Sequence, residues 1–176
     1  MRSRDYAVIE SSLFGDSSAV FSPCQNYRYR LDRIWDRSLP PLAFGMLNPS
    51  TADETANDPT VERCERRARA LGFGSLVVWN LFAYRATNPA LLKQQFDPVG
   101  PENDNFIESI LIENKHRDGR VVAGWGVHGQ YSERQVEVIR IVRRVEIPLY
   151  CLGRTNGGQP RHPLYVSYRQ DLTLWT

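Results

Sequence analysis

Four short polar stretches carry the residue types that chemistry needs: Asn48 with Ser50 and Thr51, Asn80, the turn Gly124-Trp125-Gly126, and Arg161-His162. An asparagine amide presents a donor and an acceptor together, and a histidine changes its proton state near neutral pH. The glycine-rich turns at 124–129 and 153–158 can bring backbone N–H groups to an anion, yet they match neither GxGxxG nor GxxxxGK[ST]. Nucleoside-triphosphate hydrolysis is therefore not expected. GxSxG and HExxH are absent too, which removes the common serine and zinc hydrolase signatures. Asp53 and Glu54 are paired loop acids of a type that can hold magnesium, but such acids are more commonly just solvated. Cys24, Cys64 and Cys151 show no CxxC or His/Cys spacing, so three reduced thiols are expected and no metal or cofactor is.

The elements that position these residues follow from the apolar runs. Leu42 to Leu47 is apolar apart from Gly45, too short for a helix, and bounded by Pro40-Pro41 and Asn48-Pro49, which predicts a buried central strand. Asp58-Pro59 reads as a helix cap with proline at the first helical position. Val61, Cys64, Ala68 and Leu71 then share a face and Gly72 ends the helix. Leu76 to Trp79 is a second strand with Asn80 at its end. A helix follows with Phe106, Ile107, Ile110, Leu111 and Asn114 in a stripe, then a third strand at Val121 to Ala123. A further helix, with Val136, Ile139 and Val142 on one face, leads to a fourth strand within Ile147 to Leu152, and the tail from Leu164 to Trp175 returns over the sheet.

Strands alternating with helices predict an α/β, three-layer domain around a four-stranded, mostly parallel sheet, because parallel neighbours need crossovers. Ahead of it, Ala19-Val20-Phe21 and Tyr27 to Trp35 form a hairpin signature within residues 6–36, with Tyr27, Tyr29 and Leu31 alternating against Arg28, Arg30 and Asp32. The charged face of that basic, aromatic ribbon could contact phosphates, but it is expected to be solvated. The polar stretches all follow strands, so they are expected to converge on one cleft at the carboxyl edge, where open α/β sheets bind ligands.

At 176 residues the chain suits a single domain, with 41% apolar and 24% charged residues and a net charge of +2. That balance permits a polyanionic partner without demanding one. No apolar run approaches a membrane span and no signal core opens the chain, so a cytoplasmic protein with no membrane partner is expected.

The order LNPS, NLFAYR, a glycine turn and RHPLY, over about Leu42 to Val166, resembles the uracil-DNA glycosylase superfamily. The pattern LNPSTA, DPT, NLFAYR, WG and PRHPLY is similar, over nearly the whole chain, to an uncharacterised bacterial and phage family. The superfamily resemblance implies a glycosylase-like sheet over residues 41–166 and a hydrolase that removes a base or modified base from DNA. It implies that Asn48 orients the attacking water, Asn80 reads the base edge, and His162 stabilises the departing base. Ser50 and Thr51 can then hold a phosphate, Leu164 and Tyr165 form the wedge that fills the gap, and Arg85, Arg154 and Arg161 flank the pocket with positive charge. Base extrusion is what such chemistry requires. Two other readings are a non-catalytic nucleic-acid-binding module and an enzyme acting on a free nucleotide or nucleoside.

Overall fold

The strand predicted at the centre of the chain is there: β4 (Pro41–Met46) is buried along its whole length. Both of its faces are covered, which explains its unbroken apolar run. The computed structural model describes residues 6–11, 16–50, 52–53 and 55–176. Among these, β1 (Ala7–Ser11), β2 (Asp16–Phe21) and β3 (Arg28–Ile34) precede β4. After it come α1 (Pro59–Ala70), β5 (Ser75–Asn80), the short α2 (Pro89–Leu92), α3 (Asn103–His116), β6 (Arg120–Ala123), α4 (Arg134–Val145), β7 (Leu149–Cys151) and β8 (Thr173–Leu174).

These strands form one eight-stranded mixed sheet in the order β1-β2-β3-β5-β4-β6-β7-β8. Pairing is parallel at β5–β4, β4–β6 and β6–β7, and antiparallel at the other four junctions. The expected four-stranded, mostly parallel, glycosylase-like sheet with an appended hairpin is thus corrected. The N-terminal strands are not an appendage. β3 lies against β5 with Leu31 opposite Val78, so the ribbon satisfies backbone groups that would otherwise stand unpaired along β5. Antiparallel addition needs no crossover helix, which is why no helical pattern announced it. The tail likewise pairs instead of merely passing over: β8 runs antiparallel to β7.

Helices cover both faces. Val61, Cys64 and Ala68 of α1 pack with Leu42, Phe44, Met46, Leu76 and Val78 on one side. Residues of α3 and α4 pack with Ala43, Val77, Trp79 and Val121 on the other. Asp58 caps α1 as predicted, its carboxylate accepting the N–H of Thr60 at 2.9 Å and of Val61 at 2.8 Å. Leu71 does not join the buried face; it is 44% exposed, and Arg67 takes the inward place. The buried stripe of α4 is Val138, Ile141, Val142 and Val145, whereas Val136 faces outward. Among the described residues no helix is long and apolar enough to cross a membrane.

Candidate functional site

The loops after β4, β5, β6 and β7 meet at the carboxyl edge of the parallel strands. Gly126 N–H donates to the Pro160 carbonyl at 3.0 Å, which ties the turn after β6 to the loop after β7. That last loop is held against α1 by Arg63, which donates to the carbonyls of Pro163 at 3.0 Å and Val166 at 2.7 Å. Two cavities result. Successive residues of a strand point to opposite faces, so the end of β4 gives Met46 to one and Leu47 to the other.

The smaller cavity, about 50 Å³, is lined by Arg28, Asn48, Ser50, Asp58, Thr60 and Asn80, with Met46, Val61 and Val78 as its apolar wall. Asn48 spends its amide nitrogen on the carbonyls of Ala86 at 2.6 Å and Pro49 at 3.1 Å, leaving only its oxygen for anything else. Ser50 donates its hydroxyl to the Asp58 carboxylate oxygen not used for capping. Asn80 is 2% exposed, and its main-chain carbonyl accepts from Asn103 Nδ2 at 3.0 Å. No described residue hydrogen-bonds its side-chain amide. Arg28 reaches in from β3, is also 2% exposed, and donates to the Ala52 carbonyl. Its Nε is buried without a partner. Burial pushes the guanidinium down to about 10, against the attraction of Asp58 and helped by repulsion from Arg85 and Arg33.

The larger cavity holds about 430 Å³, within the range of small-molecule sites. Its walls include Leu47, Trp125, His162 and Tyr165, with Thr155 and Arg161 among the polar lining. His162 and Tyr165 stand with ring centroids 5.6 Å apart, and Tyr165 is 74% exposed. His162 Nδ1 accepts the Leu164 N–H at 3.3 Å. Burial holds the imidazole below its usual pKa, opposed by the Asp58 carboxylate, whose charge reaches it from the neighbouring cavity. The ring is therefore neutral at pH 7, and with Nδ1 accepting, its proton sits on Nε2 as a donor.

The structure divides the predicted residues. Asn48, Asn80 and Ser50 share the small cavity; His162, Arg161 and Tyr165 share the large one. Asn48, Asn80 and His162 do not line a single pocket. Arg85 packs over Phe21 and exerts its charge on Arg28 without lining either cavity. Arg154 is turned away, donating to the Trp175 carbonyl, and Leu164 lines neither space. Thr51 lies outside the described residues, as does Glu54. Asp53 accepts from the backbone of Thr55 and Ala56 and so closes its own turn. Arg28 and Asp58 were missed as lining residues. Alternation in the ribbon placed Arg28 on a solvated face, and Asp58 was legible only as a cap. Among the described residues no group of three or more His, Cys, Asp or Glu gathers as a metal site.

Fold and site together define an α/β protein with paired cavities at the carboxyl edge of its parallel strands. The chain belongs to the family described as Protein of unknown function (DUF1643), whose model matches residues 28–164. No curated protein and no solved structure matches it significantly.

Proposed function

We propose that this protein takes an extruded nucleobase into the 430 Å³ cavity and hydrolyses the N-glycosidic bond that joins it to DNA. The observation that carries the reading is His162: a neutral imidazole lining an aromatic-walled cavity, its Nδ1 already engaged and its donor on Nε2. As the bond breaks, the electron pair leaves with the base, and a preformed neutral donor favours that developing negative charge. Positive charge builds on the sugar at the same time, and the Asp58 carboxylate next door is an anion able to favour it. Water supplies the hydroxyl to the sugar carbon and its proton to the departing base. Tyr165, 74% exposed, offers a ring face for stacking, and Arg161 at the lining offers a cation for the sugar-phosphate backbone. The reading draws support from the motif order and from this local geometry, not from a shared sheet architecture.

The test is single-turnover base release from single- and double-stranded oligonucleotides carrying deoxyuridine, mismatched or modified bases. Release from at least one substrate, weakening steeply with salt, is expected. If none is cleaved, the reading falls. One observation favours a second reading, a base-binding module without hydrolysis: the Asn48 amide nitrogen is committed to two carbonyls and cannot hold a water through its N–H. Saturable binding of an unpaired base without release would establish that alternative.

A further inference from the structure

The small cavity contains something the base pocket does not use: a buried cation that forms no ion pair among the described residues. Among the described residues the guanidinium of Arg28, 2% exposed, donates only to the Ala52 carbonyl and leaves Nε without a partner. Among the described residues no carboxylate forms an ion pair with it. Asp58 lines the same space, yet one of its oxygens is taken by two backbone N–H groups at the start of α1 and the other by the Ser50 hydroxyl. Buried charges are normally paired, and removing a guanidinium from water without that compensation is costly. A second polar residue lines the same space: Asn80, 2% exposed, whose side-chain amide forms no hydrogen bond among the described residues. Arg28, with its unpartnered Nε, and Asn80 thus line one cavity, and Thr60 lines it as well.

We infer that this cavity is a binding site for a small oxyanion, a single phosphate group, held by Arg28 and Asn80. Size supports the choice. About 50 Å³ is far below the roughly 300 Å³ at which small-molecule pockets begin, and a water needs only about 10–15 Å³ by the same measure. A tetrahedral oxyanion in place of a few waters matches that room. Chemistry supports it too, since guanidinium donors pair with phosphate oxygens more tightly than any neutral ligand would. A protonated phosphate oxygen has acceptors waiting in Asn80 Oδ1 and the free Asn48 oxygen, and it keeps repulsion from Asp58 low. The partly exposed Asn48, Ser50, Asp58 and Thr60 leave an entrance from solvent.

The inference stands independently of base cleavage, because it is tested on the full chain with no nucleic acid present. Titration with inorganic phosphate, against chloride at equal ionic strength, should show one saturable site by calorimetry and a rise in melting temperature. Arg28→Met should weaken binding at least tenfold. Asn80→Leu keeps the cation and the shape of the side chain but removes its polar atoms, and it should weaken binding similarly, so the result holds even if the Arg28 variant fails to fold. A short single-stranded oligonucleotide then separates two sources of the same group. Displacement of phosphate assigns the site to a backbone phosphate; retention assigns it to free phosphate. The inference is overturned if phosphate shows no saturable binding to the parent, or if Asn80→Leu binds it as the parent does.

Discussion

Replacing His162 separates a structural role from a chemical one in the same ring. Its Nδ1 accepts the Leu164 N–H and so caps the turn Pro163–Tyr165, while Nε2 carries the proton that can meet a ligand. In His162→Ala both are lost. Losing a side-chain cap costs about 1 kcal/mol, which for a chain of this length lowers Tm by about 2–4 °C. Losing a preorganised donor to a leaving group costs roughly 100- to 1,000-fold in rate, or about 3–4 kcal/mol. His162→Asn divides the two effects. Its Oδ1 can take the Leu164 N–H, but its short side chain places nothing where Nε2 stood. Thermal melting should therefore return to within about 1 °C of the parent. Single-turnover base release should stay reduced by about 100-fold, with DNA affinity little changed because the donor acts mainly in the transition state. The pH dependence gives a further check. Burial lowers the folded pKa of His162 beneath its unfolded value of about 6.5, so as pH falls the unfolded chain binds a proton first. Stability from this group is full above about pH 6.5 and is lost as pH drops through the folded pKa. His162→Asn should flatten that part of the curve. Near-parental release by His162→Asn, or an unchanged melting temperature in His162→Ala, would refute the reasoning.

Gly45→Ala should destabilise by about 1–3 kcal/mol in urea unfolding, since a Cβ there would run into the indole of the fully buried Trp79 and overpack the core. An unchanged midpoint would mean the indole moves freely. Arg67 is 2% exposed and donates to the carbonyls of Ser167 at 2.7 Å and Gln170 at 2.9 Å. Arg67→Leu should cost about 3 kcal/mol and open residues 166–170 to trypsin before the rest of the chain, given roughly 1.5–3 kcal/mol per charged hydrogen bond. Native chains treated with iodoacetamide should gain one rapid adduct, on Cys24, which is exposed and whose thiol pKa is lowered by the Ser22 hydroxyl. Burial pushes the Cys64 thiol up, so comparable labelling of Cys64 in mass spectra would contradict the packing of α1.

Local chemistry wrote much of this fold into the sequence. The start of α1 is determined by Asp58 and Pro59, because a cap and a proline at the first turn act within three residues. The inward stripe of α3, from Ile107 through Ile110 and Leu111 to Asn114, follows the helical period directly. β4 is recognisable because burial on both faces leaves no polar position. Other features depend on partners far along the chain. α4 carries apolar residues on more than one side, and only packing against α3 and the sheet selected Val138, Ile141 and Val145 over Val136. Arg30 and Asp32 alternate with apolar neighbours as a solvated face would, yet Arg30 pairs with Asp32 and with Glu113 of α3 at 2.7 Å. A long-range ion pair is invisible to a two-residue period. The same holds at the site. Asn48 and His162 follow strands and Asn80 ends one, which placed them at one edge of the sheet, but the sheet's two faces and the Met46–Leu47 alternation assign them to different cavities. Arg28 enters one of those cavities because β3 pairs with β5, a contact between residues 28–34 and 75–80 that no local pattern encodes.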